Sequence, residues 1–262
     1  MNLGLGNKSV LVLASSKGLG KAIALEFAKE GANVMLTSRN EALLKEAAEE
    51  ISKKSGIQVN YHVCDIRKNE QLQELVQKTV DLYGTVDVLV NNSGGPMGGN
   101  FDNLNDEDWI NAFQLTLLSY IRAIREVLPY MRKQKRGHIV NVASTSFKQP
   151  IDGLLLSNTF RTGIVGMAKS LSQEFAPDNI LINTVGPGKF ATDRVLEIDS
   201  QQAERVNINV EEFTKKSEKA IPIGRYGEPS EFAKTVVFLA SEANTYITGQ
   251  AILVDGGSTK AM

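Results

Sequence analysis

Short apolar runs alternate with segments of helical periodicity along nearly the whole chain. Runs rich in Val, Ile and Leu predict seven β-strands, at residues 9–13, 33–37, 59–63, 86–91, 138–142, 180–185 and 251–254. Between them, apolar residues recur at the i, i+3, i+4 spacing of amphipathic helices, at residues 19–29, 41–53, 71–83, 106–133, 162–175 and 229–241. Buried strands that alternate with helices are typical of βαβ units. The pattern therefore predicts an α/β fold, a doubly wound parallel sheet of about seven strands with helices on both faces.

One segment departs from this alternation. Residues 190–222 follow the sixth predicted strand and are polar, charged and only weakly periodic. A connection of this length is usually a lid over a ligand or a disordered stretch. Because ligands of open α/β sheets bind outside the carboxyl ends of the strands, where this segment begins, the lid is the favoured interpretation.

Composition and charge narrow the class of protein. The chain has 262 residues, 42% of them hydrophobic, without a linker rich in Pro, Ser or Gly, so we expect a single domain over residues 1–262. Lys and Arg total 29 against 30 Asp and Glu, and this balance makes a nucleic-acid or membrane-surface partner unexpected. One cysteine, no apolar leader and no apolar run of membrane length favour a cytoplasmic protein. The two histidines, His62 and His138, lack partners at ligand spacing, so no metal site is expected.

The turn after the first strand carries the first chemical signal. Small residues there let the main chain approach a pyrophosphate, and the N-terminus of the next helix favours negative charge. The candidate cofactor-binding residues of this turn are Ala14, Ser16, Lys17, Gly18, Leu19 and Gly20. The alternative is a plain strand-to-helix turn without a ligand. In the first βαβ unit of a doubly wound sheet, the turn favours a Rossmann-type dinucleotide-binding domain.

The residues at the end of the second predicted strand indicate which dinucleotide the chain binds. An NAD-binding unit places a carboxylate there for the ribose 2′-hydroxyl, whereas this chain has Ser38 and Arg39. A guanidinium binds a 2′-phosphate as a fork, and Lys17 adds a second positive charge. We therefore expect NADP(H) to be preferred over NAD(H). The alternative is that Arg39 is a solvated residue at a helix start.

Further motifs follow the later strands, and they carry a family resemblance. Besides the turn, these are Asp65 and Ile66, then Asn92, Ser93 and Gly94, then Pro187, Gly188 and Thr192. Over nearly its whole length the chain resembles the short-chain dehydrogenase/reductase superfamily, and most closely its β-ketoacyl carrier-protein reductases. The resemblance implies that the first pair contacts the adenine, that Asn-Asn-Ser-Gly stands for the family's Asn-Asn-Ala-Gly, and that the last three residues contact the nicotinamide amide.

The positions of these residues indicate a ligand crevice even without the resemblance. Each follows a predicted strand, so all would lie at the carboxyl edge of the sheet, where the ligand crevice of this fold is found. The alternative for each one singly is turn chemistry, since Asp, Asn, Gly and Pro form turns in any case.

The resemblance fails at the catalytic positions. It implies a Ser, a Tyr thirteen residues later, a Lys four beyond that and an Asn on the long helix. Ser144 stands at the first position, but the others are Ser157, Arg161 and Thr116. The family's tyrosine passes a proton to or from the substrate oxygen, and an aliphatic hydroxyl is a much poorer acid. Positioned proton transfer is worth roughly 10² to 10⁴ in rate. We therefore expect slow turnover.

Other groups are candidates for the missing roles. Arg161 has five donors with which it could bind the nicotinamide ribose. Lys148 and Lys189 lie in loops after strands and could donate a proton if desolvated, and Tyr226 is held in reserve. The alternative is that Ser157 is a helix-start residue and Arg161 a solvated charge.

The sequence thus supports two hypotheses. The first is an NADP(H)-dependent oxidoreductase acting on a small-molecule carbonyl or alcohol substrate, with catalytic residues Ser144, Ser157 and Arg161. The second is an NADP(H)-binding protein with weak or no catalysis, acting as a sensor or partner subunit. In either case the helices predicted at residues 106–133 and 162–175 carry more apolar residues than one sheet face needs. The resemblance implies that such helices pair between subunits, so we expect a homotetramer, with a dimer as the next alternative.

Overall fold

The strands form one parallel sheet. The computed structural model describes residues 1–262, apart from the side chains at positions 201 and 205. Its strands are β1 (Ser9–Val12), β2 (Asn33–Ser38), β3 (Asn60–Val63), β4 (Val88–Asn91), β5 (Gly137–Val142), β6 (Ile180–Pro187) and β7 (Ala251–Val254). They are ordered β3-β2-β1-β4-β5-β6-β7, and each neighbouring pair is parallel. The predicted single-domain, seven-stranded doubly wound sheet is confirmed.

Helices cover both faces of this sheet. They are α1 (Gly18–Lys29), α2 (Glu41–Ser55), α3 (Asn69–Tyr83), α4 (Asp106–Phe113), α5 (Ser119–Gln134), α6 (Leu155–Phe175), α7 (Asp193–Arg205), α8 (Val210–Lys219) and α9 (Pro229–Leu239). Short 3₁₀ turns occupy Phe101–Asn103, Thr145–Phe147 and Ala176–Asp178. None of the helices in the described chain has both the length and the apolar character needed to cross a bilayer.

Strand alternation separates two hydrophobic cores. On β1, Val10 and Val12 face one core, which α1, α2 and α9 complete, whereas Leu11 faces the other, which α3, α5 and α6 complete. Residues on both faces of β1 are fully buried, which is the environment of a central parallel strand. Burying a Val or Leu side chain of this kind contributes about 1.5 to 3 kcal/mol. The two cores hold the carboxyl ends of the strands in fixed register.

Two helix predictions need correction. The helix predicted at residues 106–133 is interrupted by a π-helical turn, Gln114–Leu118, between α4 and α5. The helix predicted to begin at residue 162 begins at Leu155. Its first turns contain Ser, Asn and Thr, which are weak helix formers, but the Thr159 and Thr162 hydroxyls donate to the carbonyls four residues earlier. Ser157 therefore lies in the first turn of α6, as the helix-start alternative expects, and Arg161 lies one turn further along.

The polar segment at residues 190–222 is also more regular than predicted. It folds into α7 and α8, and the Asn209 side chain caps α8 by accepting from the Glu211 N–H. The sequence pattern does not predict these helices, because α7 is anchored partly by a buried carboxylate. Asp199 is fully buried, as is Ala203 one turn later. A pattern of hydrophobic residues does not reveal a buried carboxylate.

Candidate functional site

The ligand crevice lies where the strand order reverses. β1 pairs with β2 on one side and with β4 on the other, so the chain leaves the sheet in opposite directions at their carboxyl ends. In open α/β sheets such a switch point opens a crevice for ligands. The described residues contain no group of three or more His, Cys, Asp or Glu side chains placed to hold a metal ion. Loops after the strands, together with the helix α6, supply the residues of the site.

The turn after β1 takes an unusual main-chain path. Ala14 has φ +48° and Gly18 has φ +59°, both in the left-handed region. At a residue with a Cβ this conformation costs on the order of 1 kcal/mol, which Ala14 tolerates because its side chain is small. Lys17 is the N-cap of α1 and makes no side-chain capping bond, so the first N–H groups of α1 face the turn unsatisfied. This is the donor arrangement that binds phosphate groups.

Gly20 and Asn92 lock this turn to the rest of the crevice. The Asn92 amide donates to the carbonyls of Leu13, at 3.2 Å, and Ala14, at 3.1 Å. A Cβ at Gly20 would overlap the Ala14 carbonyl oxygen and lie 2.7 Å from the Asn92 amide nitrogen. Glycine is thus required at position 20 by a close approach of the main chain. Ser16 and Leu19 are half-buried in the same turn.

Positive charge gathers beside the turn. Lys17 and Arg39 are exposed, and neither forms an ion pair with a described carboxylate. The neighbouring Asp65 carboxylate is held by Arg67, whose guanidinium nitrogens lie 2.6 to 3.2 Å from it. The hydrogen bonds from Arg67, and to a lesser degree the charge of Arg39, lower the pKa of Asp65. Asp65 therefore presents a charged carboxylate at neutral pH, beside the buried side chain of Ile66.

The loop after β6 closes the opposite wall. Gly188 donates from its N–H to the Val254 carbonyl at 2.9 Å, and a Cβ on Gly188 would lie 2.7 Å from Asp255 Cα. Thr192 begins α7, and its methyl group lies 4.0 Å from where a Gly18 Cβ would stand. The loop that contains Pro187, Gly188 and Thr192 therefore faces the turn after β1 across the crevice.

Three serines lie together, two in the segment after β5 and one in α6. Ser144 Oγ accepts a hydrogen bond from the Ser146 N–H at 3.2 Å, and Ser146 Oγ lies 3.3 Å from Ser157 Oγ. Ser146 and Ser157 are buried, and Ser144 is half-buried. The structure thus brings the predicted pair Ser144 and Ser157 to one place through Ser146, a residue that the sequence interpretation missed. The available signal was its position directly after the strand end.

Arg161 is a buried residue, so its interpretation as a solvated charge is wrong. Its side chain is 4% exposed and reaches from α6 to the end of β4. Nη1 donates to the Tyr120 hydroxyl at 3.1 Å and to the Val142 carbonyl at 2.9 Å. Nη2 donates to Ser93 Oγ at 3.3 Å and lies 3.5 Å from the Gly94 carbonyl. Arg161 therefore adjoins Ser93 and Gly94, two of the predicted cofactor-binding residues.

The remaining candidates are occupied elsewhere or exposed. The Thr116 hydroxyl, in the π-helical turn, donates to the Ala112 carbonyl of α4, and Lys148 is exposed. The Lys189 ammonium lies 3.3 Å from the buried Asp199 carboxylate, to which the Tyr226 hydroxyl also donates. Burial, together with the hydrogen bond to Asp199, raises the pKa of Tyr226. Tyr226 is thus a poorer acid than a free tyrosine, and its hydroxyl binds Asp199 of α7.

Comparisons with known proteins agree with this geometry. The profile of the enoyl-(acyl carrier protein) reductase family matches residues 13–259. The chain is 35% identical over 257 residues to the 3-oxoacyl-[acyl-carrier-protein] reductase FabG of Chlamydia muridarum, covering 98% of this chain and 99% of that protein. It is 31% identical over 259 residues to the NADPH-dependent reductase BacG of Bacillus subtilis, covering 98% and 100%.

A solved structure is similar over the full length. The crystal structure of L-sorbose reductase from Gluconobacter frateurii, in complex with NADPH and L-sorbose, superposes with a TM-score of 0.95 at 31% sequence identity. All of this chain and all of that chain are covered. The polar segment that forms α7 and α8 is therefore part of the shared fold.

Proposed function

Because the chain belongs to the short-chain dehydrogenase/reductase superfamily, within the enoyl-(acyl carrier protein) reductase family, we propose that it is an NADP(H)-dependent oxidoreductase acting on a carbonyl or alcohol substrate. The observation that carries the proposal is the crevice between the turn after β1 and the loop after β6. Gly20 packs directly against the Ala14 carbonyl and Gly188 against Asp255, so neither of these two loop positions can carry a side chain. A dinucleotide needs such close main-chain approach at its pyrophosphate.

The residues present fit this cofactor along its length. The N–H groups at the start of α1 would hold the pyrophosphate, and Asp65 with Ile66 would meet the adenine. Asn92 and Gly94 would flank the middle of the cofactor, and Thr192 would face its nicotinamide end. When bound, the reduced nicotinamide supplies a hydride to the substrate.

Arg39 and Lys17 support NADP(H) over NAD(H). Their charges are exposed beside the turn, and no described carboxylate neutralises them by an ion pair. A 2′-phosphate is the group of NADP(H) that such cations bind. The expected preference agrees with the relatives, among which BacG is an NADPH-dependent reductase and the sorbose reductase was solved with NADPH.

In the chemical step, Ser144 would hold the substrate oxygen and Arg161 would orient the nicotinamide ribose. Ser157 would pass a proton to the oxygen, directly or by way of water, with Ser146 holding its hydroxyl. Ser157 lacks the acidity of a tyrosine, and loss of positioned proton transfer raises a barrier by about 3 to 5 kcal/mol. We therefore propose slow carbonyl reduction or alcohol oxidation.

A second candidate function rests on the same observation. With Ser157, Arg161 and Thr116 at the catalytic positions, a protein could bind NADP(H) without turnover and act as a sensor or partner subunit. The intact cofactor crevice is compatible with this alternative. Only a turnover measurement separates the two.

Two further proposals concern the class of substrate and the assembly of subunits. Relatives include a 3-oxoacyl reductase and a sorbose reductase, so a small carbonyl compound or a 3-oxoacyl thioester is the proposed class of substrate. We propose that α7 and α8 form the lid over it. The homotetramer stays a prediction, and exposed Ile110 and Phe113 on α4 support an interface there.

The test is a titration of the purified protein with NADPH and NADH, followed by assays for loss of nicotinamide absorbance with a panel of ketones and 3-oxoacyl thioesters. We expect NADPH to bind more tightly than NADH and to be oxidised slowly. Arg39→Asp should lower the ratio of NADPH to NADH affinity by roughly 10- to 100-fold, since hydrogen bonds between charged groups are the strong ones.

The control is Lys53→Asp, which makes a similar charge change at the far end of α2. It should leave the affinity ratio unchanged. If Arg39→Asp also leaves the ratio unchanged, the 2′-phosphate site is assigned wrongly. If the wild type binds neither nucleotide, the proposed function is wrong.

A further inference from the structure

A buried cation in the crevice has no acidic partner. The Arg161 side chain is 4% exposed, and no ion pair joins it to a described carboxylate. A guanidinium stays charged at every pH that proteins experience. Burying such a charge is unfavourable unless hydrogen bonds replace its water shell. The groups that do so here are all neutral.

Two side chains supply half of these hydrogen bonds, and the Val142 and Gly94 carbonyls supply the other half. Tyr120, on α5, is fully buried, and its hydroxyl donates to the Val142 carbonyl at 2.8 Å while accepting from Arg161 Nη1 at 3.1 Å. Ser93, in the loop after β4, accepts from Arg161 Nη2 at 3.3 Å. The Ser93 and Tyr120 hydroxyl oxygens lie 3.4 Å apart. The three side chains therefore form one network across two helices and a strand end.

The network also fixes the plane of the guanidinium. Nη1 and Nη2 are held at different points, by the pair Tyr120 and Val142 on one side and by Ser93 and Gly94 on the other. A planar group held at both ends cannot rotate. Nε of Arg161 has no partner, so Nη1 and Nη2 alone determine its orientation.

Two members of the network are departures from the family pattern described above. Ser93 stands where the family has Ala, and Arg161 stands where it has Lys. An alanine could not accept the bond from Nη2, and an ammonium has no second nitrogen with which to reach both sites. The two departures, Ser93 and Arg161, therefore form a hydrogen bond that the family's Ala and Lys would not form in this arrangement.

We propose that Tyr120 and Ser93 are positioning residues that hold the Arg161 guanidinium toward the bound cofactor. This inference rests on the proposed function, because it assigns to Arg161 a contact with NADP(H) through Nε, the one guanidinium nitrogen without a protein partner in the described chain. Ser93 and Gly94 adjoin Asn92, whose amide binds the Ala14 carbonyl of the cofactor turn. The network thus connects α6 to the turn after β1 through three successive residues of one loop, Asn92, Ser93 and Gly94.

The test is a set of double-mutant cycles read by the NADPH dissociation constant. Tyr120→Phe and Ser93→Ala are measured in the wild-type protein and in Arg161→Met. Each should weaken NADPH binding by about 5- to 20-fold in the wild type, because a bond to a charged group is lost. In Arg161→Met, where there is no guanidinium to hold, each should change the affinity by less than about 2-fold. Ser93→Thr retains a hydroxyl and should restore most of the affinity.

Matched controls separate positioning from general destabilisation. Tyr83→Phe removes a hydroxyl that likewise donates to a strand carbonyl, that of Val34 at 3.0 Å, outside the crevice. Ser172→Ala removes a buried hydroxyl that donates within α6. Both controls should leave the NADPH affinity unchanged, even where the thermal midpoint falls. If Arg161→Met does not fold, Arg161→Gln is used as the second background.

The outcomes are distinct. Equal weakening in the wild type and in the Arg161 variant would overturn the inference, because it would indicate a structural effect independent of the guanidinium. Tight NADPH binding that neither Tyr120→Phe nor Ser93→Ala affects would overturn it as well, while leaving the proposed function standing. A wild type that does not bind NADPH would overturn both.

Discussion

The two halves of the crevice depend on different parts of the chain. Around β1 and β4 the site is made largely by the main chain, with Ala14 and Gly18 in left-handed conformations and Gly20 packed against a carbonyl. Around β5 and α6 the site is made by side chains, and Ser157 and Arg161 stand where the resemblance predicts Tyr and Lys. A main-chain site persists as long as the turn conformation does. A side-chain site changes its chemistry with every substitution.

We expect the largest loss of NADPH affinity when a side chain is added in the main-chain half of the crevice, at the turn after β1. In Gly20→Ala the new Cβ would overlap the Ala14 carbonyl oxygen and crowd the Asn92 amide, so the turn after β1 has to move. We expect NADPH affinity to fall more than about 100-fold, because a 1 Å displacement of positioned groups is enough for such a loss. Isothermal titration calorimetry measures this directly.

Gly6→Ala is the control, because a Cβ at Gly6 meets no atom within 4 Å. It should bind NADPH as the wild type does. Wild-type affinity in Gly20→Ala would show that the cofactor does not approach the turn.

We expect a smaller effect when the charge of Asp199, the buried carboxylate of α7, is removed. Asp199→Asn removes the charge that holds the Lys189 ammonium, and it weakens the bond from the Tyr226 hydroxyl. Losing a buried hydrogen bond to a charged group costs about 1.5 to 3 kcal/mol. We expect faster amide hydrogen exchange over residues 193–219 and a substrate KM raised by roughly 10-fold, with NADPH affinity nearly unchanged.

The exposed Glu197 lies two residues earlier on the same helix, and Glu197→Gln serves as the control. Its exchange pattern should match the wild type. If Asp199→Asn exchanges no faster than this control, the carboxylate does not anchor the proposed lid.

The smallest effect concerns Asp65 and its pH dependence. The hydrogen bonds from Arg67 lower the pKa of Asp65 in the folded protein relative to the unfolded chain. The resulting stabilisation is fully present above the unfolded-state pKa of about 3.9 and is lost as the pH falls through the lower folded-state pKa. Asp65→Asn should therefore lower the free energy of unfolding by about 0.5 to 1 kcal/mol between pH 5 and 8. The difference from the wild type should shrink below about pH 4.

Urea unfolding at several pH values measures this difference. Glu49→Gln, at an exposed position of α2, controls for the loss of one negative charge. A stability difference that grows as the pH falls would contradict the assigned direction of the pKa shift.

The two halves also differ in how far the sequence predicts them. Strand alternation and the small residues of the turn predict the sheet and the place of the crevice, because both depend on local patterns. The burial of Arg161 was missed, since its partners Tyr120 and Ser93 come from a helix and a loop far away in sequence. The helical form of α7 was missed for a related reason, because Asp199 is buried by partners that no periodicity reveals.

We propose that the cofactor half of the crevice is intact, whereas the proton-transfer half has lost its tuned acid. The most direct test compares NADPH-dependent turnover of 3-oxoacyl thioesters and simple ketones by the wild type and by the triple variant Ser157→Tyr, Arg161→Lys and Thr116→Asn. We predict that the wild type binds NADPH but turns over far more slowly than about 10 per second, a common enzymatic rate. The triple variant should be faster, by up to roughly 10² to 10⁴, and Ser157→Tyr alone should gain much less, because these groups act as a unit. Wild-type turnover at about 10 per second would contradict the claim.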